Sequence, residues 1–220
     1  MSAEIILFDL NGTLLNLASL NGHFERVFGS PGQRERWFDQ LQILWMSTIA
    51  SGTYQPFETL ARAALQMLAA REHVELSSAD EKIITAQMSA LPLFAEVPAA
   101  LDRLRAAGFR LAALTNGARK TAQAQLEHAG IAAAFEAVFS TDEVERFKPA
   151  PEPYLHAAKQ LDARPGKLLM VAAHAWDVAG ARQAGLSGAF VARPRQVLNP
   201  SASKPDYVVQ DLAELADKLC

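Results

Sequence analysis

From Val97 to the end of the chain, short apolar segments alternate with stretches of helical periodicity, and this rhythm restricts the fold more than any other property of the sequence. Residues 109–115, 137–140, 167–173, 188–191 and 206–209 are brief apolar runs bounded by turn residues, the signature of buried strands. Between them Pro98 suits a first helical position, and Gly108, Gly130 and Gly185 suit helix C-terminal stops. Such alternation predicts an α/β fold with a parallel sheet covered by helices on both faces. A further run, residues 4–9, opens the chain and ends on Asp9, followed by Leu10-Asn11-Gly12-Thr13-Leu14. Ligands of parallel sheets bind outside the carboxyl ends of the strands, so a carboxylate there is placed for chemistry, although aspartates also open ordinary turns.

Residues 15–93 break the rhythm. Trp37, Leu41, Leu44, Trp45 and Thr48, then Phe57, Leu60, Ala64, Leu65 and Leu68, recur at three-to-four spacing with no strand between them. The expected division is a core of 1–14 and 94–220 with a helical cap of 15–93, seated over Asp9 and able to exclude water from it. The Trp- and Leu-rich stripe reads either as internal core or as the interface of a homodimer. Residues 193–205, rich in Pro, Ser and Asn, read as a surface loop.

The 220 residues carry a net charge of -3, so there is no electrostatic footprint for nucleic acid or an anionic membrane, and a small-molecule partner is expected. The single cysteine, Cys220, permits neither an intrachain disulfide nor a Cys-rich metal site. No segment reaches the ~18 apolar residues of a membrane helix, and no signal-peptide pattern precedes the first strand. A soluble, cytoplasmic protein is the expectation.

Three more strand ends carry polar groups. Thr115-Asn116-Gly117 offers a hydroxyl, an amide and helix-opening N–H groups, a corner suited to an anion or to simple helix capping. Lys148 precedes Pro149, which holds it extended in a loop from which its ammonium can keep Asp9 ionised. Tyr154, one turn on, suits core packing or a substrate contact. His174 and Asp177, three apart at a strand-to-helix junction, can orient and deprotonate a water, or serve only to start the helix.

In their order and spacing these four segments resemble the haloacid dehalogenase superfamily, most closely its type II 2-haloacid dehalogenases, over almost the whole chain. The resemblance implies a Rossmann-like core and a covalent ester on Asp9, formed as halide leaves C2 of a 2-haloalkanoic acid with inversion. It implies carboxylate binding by the Leu10 and Asn11 amides and Thr115, a halide pocket lined by Asn116, Phe57 and Trp176, and Thr13, His174 and Asp177 around the hydrolytic water. The superfamily's magnesium-dependent phosphatases are the alternative. They carry an acid where Asn11 stands and a metal-binding acid four positions before Asp177, where this chain has Ala173. An amide cannot protonate a leaving alcohol, whereas a halide needs no proton, so no metal and no cofactor are expected. Type II dehalogenases have an aromatic residue in place of Asn11, an asparagine in place of His174, and a cap arginine that aligns with Trp37; neighbouring Arg36 is the expected substitute.

Overall fold

The computed structural model describes residues 3–220. Six strands form one parallel sheet among these residues: β1 (Ile5–Phe8), β2 (Arg110–Thr115), β3 (Ala137–Ser140), β4 (Leu168–Ala172), β5 (Ser187–Val191) and β6 (Tyr207–Val209), in the order β3-β2-β1-β4-β5-β6. The helices are α1 (Asn21–Phe28), α2 (Gln33–Ser51), α3 (Phe57–Arg71), α4 (Ser78–Gln87), α5 (Val97–Ala106), α6 (Arg119–His128), α7 (Pro151–Gln160), α8 (Ala175–Gln183) and α9 (Leu212–Leu219). Strand order reverses beside β1, which places the carboxyl ends of β1, β2 and β4 side by side at the switch point of the sheet.

Strands β1 and β4 are buried on both faces, which is why they read as unbroken apolar runs rather than alternating ones. Asp9 itself lies just past β1, yet its amide still donates to the Val171 carbonyl at 3.0 Å, so the sheet fixes its backbone. The chain turns into left-handed backbone at Gly108, Gly130 and Gly185, where the sequence predicts helix stops.

Between the Leu10–Leu15 turn and Leu91 the described chain is helical, with no strand. The two crossings between this segment and the sheet are bonded to each other: Asn16 N–H donates to Pro92 O at 2.7 Å, and Phe94 N–H to Leu14 O at 3.1 Å. One apolar cluster runs from the sheet through Leu10 and Leu14 into Phe24, Trp37, Leu41, Trp45 and Leu65. Trp37 and Trp45 are each 1% exposed and Leu41 is fully buried, so these members of the stripe are internal core. No helix among the described residues is long and apolar enough to cross a membrane.

The 193–205 segment departs from its reading as a surface loop at its first residue. Arg193 is 6% exposed; its Nε and Nη2 donate to the Thr13 carbonyl at 3.1 and 2.9 Å, and Nη1 pairs with Glu96 at 2.6 Å. Composition marked the segment as polar, but both partners of this guanidinium are distant in sequence.

Candidate active site

Asp9 stands where β1 ends, and three side chains converge on its carboxylate. Lys148 Nζ donates to Oδ1 at 3.0 Å, Thr13 Oγ1 donates to Oδ2 at 2.7 Å, and His174 Nδ1 lies 3.1 Å from the same Oδ2. Gly12 permits this closeness. Its φ is +83°, and a Cβ there would lie 3.2 Å from the His174 ring, so a side chain would meet both a strained backbone and the imidazole. Thr13 is held in turn by the Ala173 N–H, which donates to its hydroxyl at 3.0 Å.

Lys148 is fully buried. Its ammonium spends three donors on Asp9, on Asp177 Oδ2 at 2.6 Å and on the Leu114 carbonyl at 2.9 Å. Asn116 fixes its backbone: Lys148 N–H donates to Oδ1 at 2.9 Å, and Nδ2 donates to Lys148 O at 3.4 Å. Asn116 therefore positions Lys148. Tyr154, fully buried, donates from its hydroxyl to Asp177 Oδ1 at 2.6 Å, which makes it an orienting group for Asp177 and not a substrate contact.

Burial works against the charge of each member, and the neighbours decide the outcome. Burial raises the pKa of Asp9, but Lys148, then His174 and Thr13, more than offset this and hold the carboxyl well below the usual range. Lys148 is likewise disfavoured by burial, and Asp177 and Asp9 lift it above its ordinary value. Burial, with the charge of Asp9 beyond Lys148's opposing pull, keeps Asp177 above the usual carboxylate range. The Tyr154 phenol is pushed well up by burial and by Asp177, so it stays a donor.

Thr115, 2% exposed, accepts the Gly117 N–H on its hydroxyl at 3.0 Å and shapes the turn into α6. Leu10 is completely buried. Among the described residues the amides of Leu10 and Asn11 donate to no protein acceptor. Phe57 is buried and stacked against Trp45 with centroids 6.0 Å apart. Trp176 stacks on the His174 ring at 5.1 Å.

Arg36 does not reach the cluster. Its side chain is 62% exposed and pairs with Glu72 at 3.1 Å, because α2 buries the neighbouring Trp37 and turns Arg36 to the other face. Trp37 Nε1 donates to the Ala61 carbonyl at 2.9 Å, so the position that aligns with a cap arginine presents an apolar ring.

Several site residues carry no sequence signal. Phe38 stacks on the other side of His174, with centroids 5.6 Å apart. Trp45 packs edge-on against Trp176 at 5.5 Å, and both indole N–H groups are buried without an acceptor among the described residues. Gln125 Nε2 donates to Asn11 Oδ1 at 2.9 Å from a position 114 residues away. Two clefts open near the turn that follows Asp9. One, of about 310 Å³, reaches Gly12 and His174 past Phe38, Arg34 and Arg193. The other, of about 280 Å³, reaches Asn11 and Phe57 from between the helical segment and α6.

A family model for haloacid dehalogenase-like hydrolases matches residues 3–185. The chain is 31% identical to (S)-2-haloacid dehalogenase 2 of Pseudomonas sp. (strain CBS-3), over 97% of this chain and 94% of that protein. The structure of L-2-haloacid dehalogenase from Xanthobacter autotrophicus superposes with a TM-score of 0.91 at 26% identity, covering 98% of this chain and 97% of the other. The structure of that enzyme with chloropropionic acid covalently bound matches with the same TM-score and coverage at 25% identity. The chain therefore belongs to the haloacid dehalogenase-like hydrolase family.

Proposed function

We propose that this protein is a metal-independent hydrolase of 2-haloalkanoic acids that works through an ester on Asp9. One observation carries the reading: a buried ammonium, Lys148 Nζ, sits between the Asp9 and Asp177 carboxylates at 3.0 and 2.6 Å. That arrangement keeps Asp9 anionic, stripped of water and fixed in place, which is what a carboxylate nucleophile requires.

In the first step Asp9 attacks C2, the new C2–O bond forms as the carbon–halogen bond breaks, and halide leaves with the bonding pair. In-line attack inverts C2. The free amides of Leu10 and Asn11, beside Thr115, bind the substrate carboxylate. The buried indole N–H donors of Trp45 and Trp176 offer the departing halide the hydrogen bonds that a cap arginine would otherwise supply. In the second step water enters by the cleft that ends on His174, the imidazole takes its proton, and hydroxide attacks the ester carbonyl. The 2-hydroxy acid departs and the Asp9 carboxylate returns. The helical segment 15–93 acts as the cap that keeps other water away.

The donor set argues against the magnesium-dependent alternative. Both carboxylates of the cluster are spent on Lys148, Ala173 stands where a further acid would be needed, and Asn11 Oδ1 is bonded to Gln125. Among the described residues no three His, Cys, Asp or Glu side chains are gathered to hold a metal ion. The test is free halide from (S)-2-chloropropanoate in EDTA; release unchanged by the chelator is expected. No release by folded protein, together with magnesium-dependent phosphate release from sugar phosphates, would reverse the assignment.

A further inference from the structure

Two of the three departures from the type II dehalogenase pattern, Asn11 and Trp37, meet in one place. Both line the cleft of about 280 Å³, together with Phe57, Ala61, Met88 and Ala122. Asn11 is smaller than the aromatic residue it stands for, so it leaves space beside the nucleophile's turn. Trp37 has spent its only polar atom on the Ala61 carbonyl and shows the cleft carbon rather than charge. Gln125, 1% exposed, spends its Nε2 on Asn11 Oδ1 at 2.9 Å and the Met88 carbonyl at 2.5 Å, so it offers the cleft no free N–H. At the rim Thr121 donates to Glu58 and Arg62 pairs with Glu81, so a hole of this size with an apolar wall favours a hydrocarbon over a charged ligand.

We infer that this cleft receives the C2 substituent of the substrate, and that the preferred substrates are 2-haloalkanoic acids with an unbranched chain of about four carbons on C2, not chloroacetate or 2-chloropropanoate. The inference rests on the dehalogenase reading and narrows its substrate class. The open end of the cleft, at Arg62, Ala86 and Thr121, admits the chain terminus from the solvent side.

Halide release is compared for (S)-2-bromopropanoate, (S)-2-bromobutanoate and (S)-2-bromohexanoate, and calorimetry compares binding of lactate with that of 2-hydroxyhexanoate. Burial of each added methylene predicts a rise in kcat/KM of about fourfold, with 2-hydroxyhexanoate bound more tightly than lactate by a similar factor per methylene. Ala61→Phe and Ser89→Phe fill the cleft from its two walls, so one remains informative if the other fails to fold. Each is expected to lower the hexanoate-to-propanoate ratio at least tenfold. A wild-type ratio at or below one, equal binding of the two hydroxy acids, or a filled variant that keeps the long-chain preference would overturn the inference while leaving dehalogenation intact. No halide from any substrate would instead overturn the dehalogenase reading, and the calorimetric comparison would still decide what the cleft holds.

Discussion

Asp9 keeps its charge in a place nearly sealed from water because three neighbours supply what water would have supplied. Its folded pKa lies below the unfolded value of about 3.9, so its contribution to stability is complete above that pH and is lost as pH falls toward the native value. Lys148, raised, contributes fully below about pH 10 and loses that contribution as pH rises past its native value. Lys148→Met removes the main offset to burial. It should cost about 3–5 kcal/mol in urea unfolding, the usual range for one partner left unpaired in a buried ion pair. It should also move the acid limb of the kcat/KM profile for halide release upward, because burial then raises Asp9; an unmoved limb would refute the role given to Lys148. His174→Phe keeps a ring between Phe38 and Trp176 but removes the proton acceptor. A rapid burst of one halide per protein should then precede turnover slowed ~10²- to 10⁴-fold. Steady turnover at the wild-type rate would exclude His174 as the base. Asp9, Lys148, His174 and Asp177 were legible in the sequence because each closes or follows a strand. The hydroxyl of Tyr154 and the amide of Asn116 were not, since what each bonds depends on side chains brought near only by the sheet.

Elements hold these residues through a few close contacts. Helix α8 crosses the Lys148–Pro149 loop so tightly that a Cβ on Gly180 would lie 2.5 Å from Pro149 Cβ and 2.6 Å from its carbonyl oxygen. Since part of that contact is backbone, Gly180→Ala must move either the helix that carries Asp177 or the loop that carries Lys148. A loss of about 1–3 kcal/mol is expected from overpacking, with halide release reduced more than the stability change explains; wild-type stability and kcat/KM together would show that the contact is slack. The strands were readable from apolar runs between turn residues, and their ends moved by a residue where the terminal residue turns out of the ladder. The face that α2 shows the cluster was not readable for Arg36. A one-residue change in helical register rotates a side chain about 100°, and burial of Trp37 settles which residue turns inward.

Across the whole molecule, a strand order that reverses beside β1 brings groups separated by up to 168 residues to one edge of the sheet, and the helical segment closes over them. The four strand-end groups in order made this architecture legible. The flanking clefts were not, because each is bounded by residues from both the helical segment and the loops beyond the strand ends. The central claim, that Asp9 attacks carbon and water then attacks the resulting ester, has a direct isotopic consequence. Under single-turnover conditions in ¹⁸O water with a 2-haloalkanoic acid, mass spectrometry should find the label in the peptide containing Asp9 and none in the 2-hydroxy acid. Label in the hydroxy acid, with Asp9 unlabelled, would mean that water attacks C2 directly and would contradict the ester mechanism.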